Sequence, residues 1–129
     1  MLKTILEVYR RLHPNGEIVL MAPTGRASRR MAESTGVDKA RTLHSGLGLA
    51  SEEEDVRRSN TQEPLSADLI IVDEFSMVDM WLANKFFSRI KEGARIVLVG
   101  DPDQLPSVGA GNVFRELIDC GLITVTVLD

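Results

Sequence analysis

Leu69-Ile70-Ile71-Val72-Asp73-Glu74 is the stretch on which the reading of the fold turns. A leucine followed by three β-branched residues reads as a short strand buried on both faces. That is the pattern of a parallel sheet covered by helices, not of a half-solvated antiparallel strand. The strand runs directly into two adjacent carboxylates. Open α/β sheets bind their ligands beyond the carboxyl ends of the strands, so Asp73 and Glu74 stand where such a ligand sits. Asp73 offers the oxygen donors that Mg²⁺ prefers, directly or through water. Glu74 can polarise a water for attack on a γ-phosphate. The plainer use of the same residues is a pair of solvated carboxylates in a strand-to-helix turn.

The rest of the chain alternates in the same manner. Ile18–Ala22 and Ile96–Val99 are further continuous apolar runs, and Ile123–Leu128 is a partly alternating one, giving four expected strands. Between them lie helical patterns. Leu2–Leu12 sets Leu2, Ile5, Leu6, Tyr9 and Leu12 on one face. Gly25–Ser34 is stopped by Gly36, Val78–Ile90 is closed by Gly93, and Val113–Ile118 ends near Gly121. A short helical turn is expected over Thr42–Leu47. Strands separated by helices predict one parallel sheet with helices on both faces. Ser51–Ser66 is charged and aperiodic and reads as a mobile surface loop within a single domain spanning residues 1–129.

Two more strand ends carry polar groups. Ile96–Val99 leads into Gly100-Asp101-Pro102-Asp103-Gln104-Leu105. Gly100 allows a close backbone turn. Gln104 both donates and accepts hydrogen bonds, which suits sensing a phosphate or orienting a water. Asp-Glu and Asp-x-x-Gln at two strand ends are far less expected by chance than either alone. Ala22-Pro23-Thr24-Gly25-Arg26 follows the strand Ile18–Ala22 and opens a helix, where free backbone N–H groups attract phosphate. Its plainer reading is a helix N-cap by Thr24 with a surface arginine. Thr42, His44 and Ser45 form a small polar cluster in which His44 can contact a base or phosphate. Met77, Met80 and Trp81 are read as packing residues.

Composition narrows the classes. A net charge of −4 and a pI of about 5.2 exclude a strongly basic, histone-like mode of nucleic-acid binding. The single cysteine, Cys120, can form neither an internal disulfide nor a multi-cysteine zinc site. It is expected to be a buried thiol, and it fits a reducing, cytoplasmic setting. No apolar run is long enough to span a membrane.

Taken together, these segments resemble superfamily 1 DNA helicases of the RecD/TraA branch, which include the exodeoxyribonuclease V alpha subunit. Ala22-Pro23-Thr24-Gly25-Arg26-Ala27 resembles their motif Ia, and Thr42-Leu43-His44 the Thr-Ile/Leu-His that comes after it. Asp73-Glu74-Phe75-Ser76-Met77-Val78-Asp79 resembles their Walker B segment. Gly100-Asp101-Pro102-Asp103-Gln104-Leu105-Pro106-Ser107-Val108-Gly109 resembles motif III, continued by Gly111-Asn112-Val113. The resemblance implies a RecA-like P-loop NTPase fold, three-layered around a parallel sheet. It implies Asp73 as the ligand of the Mg²⁺ of MgATP, with Gly100 and Asp101 at the nucleotide, Glu74 as activator of water and Gln104 as sensor of the γ-phosphate. It also implies Thr24, Gly25, Arg26, Thr42 and His44 along a path for single-stranded DNA, 5′ to 3′ translocation in recombination, repair or conjugation, and partners in a nuclease/helicase complex.

One element of the family pattern is missing. No G-x-x-x-x-G-K-[ST] occurs in the sequence, and Lys3-Thr4 comes after neither a strand nor a glycine loop. The expectation is therefore a piece of a longer motor that starts just after the phosphate loop, with that loop's strand absent from the sheet. The piece alone is expected to hydrolyse no ATP. The exposed strand edges are expected either to re-pair, Ile96–Val99 against Ile123–Leu128, or to recruit a second copy into a homodimer. The competing classes are a nucleic-acid-binding or interaction module without hydrolysis and an inert α/β domain. The Asp73-Glu74 and Gln104 pattern argues against both.

Overall fold

The computed structural model describes residues 1–37, 40–48, 64–101 and 113–128. Its centre is a four-stranded, wholly parallel sheet made of β1 (Ile18–Ala22), β2 (Ala40–Thr42), β3 (Leu69–Val72) and β4 (Arg95–Leu98), in the order β2-β1-β3-β4. Among the described residues five helices accompany it: α1 (Leu2–Leu12), α2 (Gly25–Thr35), α3 (Leu43–Gly46), α4 (Met80–Ser88) and α5 (Val113–Asp119). A 3₁₀ turn, Phe75–Met77, precedes α4.

The sheet has a core on each face because side chains alternate along its strands. Leu20, Ala22, Leu69 and Ile71 point to one side, where Leu6 and Tyr9 of α1 and Ala27 and Met31 of α2 cover them. Met21, Ile70 and Val72 point to the other, against Leu43, Leu82, Ala83, Phe86, Val113 and Phe114 from α3, α4 and α5. Phe75 and Phe86 are fully enclosed in this second core, and burying one such ring stabilises the fold by about 1.5–3 kcal/mol. Phe75 meets Phe114 edge-on at 5.8 Å between ring centroids. The expected three-layer α/β architecture is what the chain adopts.

The helix boundaries reflect local chemistry. Thr24 opens α2 by accepting a hydrogen bond from the Ala27 N–H at 3.1 Å, and Gly36 closes it in the left-handed conformation at φ 71°. Asp79 caps α4 through the Leu82 N–H at 2.8 Å. That cap, with the 3₁₀ turn before it, explains why the helix starts at Met80 and not at Val78 as the periodicity suggests. Leu12, placed on the buried face by its spacing, is 70% exposed.

Other expectations fail too. Ile123–Leu128 is not a strand: Val127 is 81% and Leu128 65% exposed, and the segment does not pair with β4. The direct re-pairing of that segment with Ile96–Val99 is therefore not seen. A short segment gains stable strand geometry only through a partner and a buried face, and this one has neither among the described residues. Cys120 is exposed, its thiol turned to the Leu117 carbonyl at 3.1 Å as the last turn of α5 ends at the surface. The strand β2 has no signature in the sequence because Ala40-Arg41-Thr42 has no apolar run. It exists by pairing in register with β1, Leu20 to Ala40 through Ala22 to Thr42. Of the loop Ser51–Ser66, only 64–66 are described; there Leu65 is tied down by its N–H to the Arg89 carbonyl and a bridge to Ile90.

Candidate nucleotide and nucleic-acid site

The carboxyl ends of all four strands reach one rim of the sheet, because the strands are parallel. β3 is an inner strand, so the residues just beyond it are flanked on both sides. The Asp73 N–H donates to the Met21 carbonyl at 3.0 Å, extending the ladder toward β1. On the other side, the Val99 N–H donates to the Val72 carbonyl at 2.8 Å and the Phe75 N–H to the Val99 carbonyl at 2.9 Å. Asp73 and Glu74 are thus held between the ends of β1 and β4, partly exposed at the rim.

The backbone there is unusual. Glu74 has φ 54° and ψ 37°, the only described non-glycine residue with positive φ. A left-handed conformation costs a residue with a side chain about 1–2 kcal/mol, and such strain gathers at functional sites. It turns the chain sharply out of the sheet and lets Asp73 Oδ1 accept the Glu74 N–H at 2.8 Å. One carboxylate oxygen of Asp73 is oriented by this bond. Among the described residues no ion pair engages Glu74.

Gly100 sits beside this turn. A β-carbon there would lie 3.1 Å from the Ser76 nitrogen, 3.3 Å from the Phe75 nitrogen and 3.2 Å from Phe114 Cε2. The first two are backbone, so only glycine lets β4 close against the Asp73-Glu74 turn without displacement. The Ser76 hydroxyl beneath it is buried and has no hydrogen-bond partner among the described residues. Asp101 comes next, at the surface. Gln104, the expected phosphate sensor, lies outside the described residues, as do Gly111 and Asn112.

The remaining expected residues share the rim. Thr24 and Thr42 each use the side-chain oxygen as a helix cap, toward Ala27 and Ser45, both at 3.1 Å. Their plain structural role is real, and each hydroxyl keeps its proton for donation. Gly25 has open space around it, and Arg26 is exposed with Arg29 and Arg30 on the same helix. His44 is exposed on α3.

A second polar cluster, with no counterpart in the sequence reading, lies at the opposite end of the strands. A hollow of about 470 Å³ opens there beside Tyr9, His13, Asn15, Asp68 and Arg95. Its groups engage one another: His13 with Arg95, and Asp68 with the Lys91 ammonium at 2.6 Å and the Glu17 N–H at 2.8 Å. The hydrogen bond from Lys91, reinforced by that from Glu17, holds the Asp68 carboxyl below the usual carboxylate range. No sequence signal marks this cluster, since its members come from separate stretches of chain.

A parallel sheet whose inner strand ends in Asp-Glu at a strained turn, beside a glycine-sealed neighbour, fits the RecA-like α/β class that the motifs imply. Comparison carries the assignment further: a family profile described as AAA domain matches residues 1–110, and the chain belongs to that family. It is 39% identical over 121 residues to the RecBCD enzyme subunit RecD of Mycobacterium tuberculosis, covering 82% of this chain and 21% of that protein. It is 46% identical over 95 residues to the ATP-dependent RecD2 DNA helicase of Deinococcus radiodurans, covering 74% of this chain and 13% of that protein. Among solved structures it superposes on Pif1 helicase from Candida albicans with a TM-score of 0.55 and 30% identity, over 84% of this chain and 27% of the other. The resemblance to RecD-type helicases drawn from the motifs is borne out by these relatives. The chain spans about a fifth or less of the length of the curated relatives named here.

Proposed function

We propose that this chain is part of an ATP-dependent DNA helicase of the RecD type, contributing the Walker B carboxylates and part of the single-stranded DNA path. The observation that carries the reading is the Asp73-Glu74 pair: two partly exposed carboxylates on a left-handed turn between two parallel strand ends. Support comes also from the RecD relatives, one of which is named an ATP-dependent DNA helicase.

The roles rest on chemistry. Asp73, with one oxygen oriented by the Glu74 N–H, suits Mg²⁺ bound to ATP. No cluster of three or more His, Cys, Asp or Glu among the described residues is arranged to hold a metal by itself. That fits Mg²⁺, which commonly keeps waters and takes one or two carboxylates alongside substrate phosphates. Glu74 takes a proton from the attacking water. Gly100 and Asp101 border the nucleotide, and Gln104 senses the γ-phosphate. Thr24, Gly25, Arg26, Thr42 and His44 line the DNA path, where the two capping threonines donate their hydroxyl protons to phosphate oxygens. Movement of the strand is 5′ to 3′. The intact protein acts in recombination, repair or conjugation, alone or with nuclease/helicase subunits. The outer edge of β4, unpaired among the described residues, is the surface through which a second copy of this chain would pair. Among the described residues no helix is long and apolar enough to cross a membrane.

The test is ATP hydrolysis by the full-length parent, with and without single-stranded DNA, for the wild type and Glu74→Gln. DNA-stimulated turnover that falls by about 10²- to 10⁴-fold in the variant is expected for loss of a general base. A folded wild-type protein with no turnover moves the reading to a nucleic-acid-binding module.

A further inference from the structure

Three residues on the α3–α4 face of the rim form an arrangement that no motif accounts for. The rings of His44 and Trp81 lie 6.2 Å apart at a tilt of 34°, and Lys85 Nζ is 5.9 Å from the centre of the Trp81 ring. The arrangement is held from below. Leu43 and Leu47 are buried on either side of His44, and Arg89 Nη1 donates to the Leu47 carbonyl at 2.7 Å, joining the end of α4 to the end of α3. Trp81 and Lys85 are one turn apart on α4, so they share a face, and the Asp79 cap fixes where that helix begins. Part of the Trp81 side chain packs on the core while the rest is exposed. His44 comes directly after Thr42-Leu43, so the cluster continues the run of rim residues that begins at Thr24.

We propose that His44, Trp81 and Lys85 form a stacking platform for a base of single-stranded DNA, carrying the path from α2 and α3 onto α4. The proposal rests on the DNA-binding reading above and adds Trp81 and Lys85 to it. Every base has a π-face, so an aromatic side chain at a groove binds single strands without sequence preference. A base stacked on Trp81 brings its neighbouring phosphate within reach of the Lys85 ammonium, which lies 5.9 Å from the centre of the ring.

Trp81 is the single tryptophan of the sequence, so its emission reports on this spot alone. The experiment titrates the chain at low salt with end-labelled oligo(dT), following label anisotropy and Trp81 fluorescence together. Expected are quenching of Trp81 on binding, about tenfold weaker binding for Trp81→Leu, and near-wild-type binding for Trp81→Phe, which keeps the stack. Lys85→Ala should flatten the dependence of log affinity on log salt by about 0.7, the single-strand value for one phosphate contact, while Trp81→Leu leaves the slope unchanged. Binding by anisotropy with unaltered Trp81 emission and equal affinity for Trp81→Leu overturns the platform and leaves the DNA reading standing. Absence of any binding by the folded chain overturns both.

Discussion

The two ends of the sheet differ in how they use polar groups. At the amino end, His13, Glu17, Asp68, Lys91 and Arg95 come from separate segments and pair with one another around an open hollow. At the carboxyl end, Thr24, Thr42 and Asp79 cap helices, whereas Glu74 is held in a strained turn without an ion pair among the described residues. Concavity alone points to the amino end. Unspent polar capacity and stored strain point to the carboxyl end. A hollow lined by mutually satisfied groups is a fastening between elements, while a functional site keeps its chemistry available for something outside the chain.

The sharpest separation of the two ends is Glu74→Gln, whose expected loss of about two to four orders of magnitude in the parent's turnover should leave the melting temperature unchanged. Next in size is Gly100→Val. Its side chain meets backbone nitrogens of Phe75 and Ser76, and we expect a loss of about 1–3 kcal/mol in chemical denaturation. An unchanged denaturation midpoint would mean that β4 need not lie close to the Asp73-Glu74 turn. Smaller again, and of opposite sign, is Glu74→Gly. Relief of the left-handed strain at φ 54° should stabilise the chain by about 1 kcal/mol while removing turnover from the parent. A destabilised variant would show that the turn is not strained at all.

The smallest effect belongs to the amino end. The Asp68 carboxyl is lowered in the folded state, chiefly by its hydrogen bond from Lys91. Its contribution to stability is therefore present above the unfolded value of about 3.9 and is lost as pH falls through the lower folded value. Asp68→Asn should leave the chain slightly less stable near neutrality, and the two proteins should converge under acid. Both partners are partly exposed, so the gap at neutrality is small. A gap that widens with acid would contradict the assignment.

The legible parts of this protein are those written in contiguous residues. Ile18–Ala22 and Leu69–Val72 are legible to the residue because each is a continuous apolar run, and a strand covered on both faces needs no partner's identity to be recognised. The cap at Thr24 and the stop at Gly36 are local hydrogen-bonding and φ preferences, equally visible in sequence. Thr24 after the first of these runs, and Asp73-Glu74 after the second, come with the same information.

Contiguous residues dictate the alternation of buried strands and helices, the layer architecture and the residues that directly follow Ile18–Ala22 and Leu69–Val72. Hydrophobic periodicity and capping act over a turn or two of chain. The folded chain alone sets the rest: that Ala40-Arg41-Thr42 is a strand, that Ile123–Leu128 is not, that Glu74 is left-handed, and that His44 meets Trp81. Each of these depends on which neighbour, distant in sequence or across the sheet, supplies a hydrogen bond or an apolar surface, and no local pattern encodes that choice.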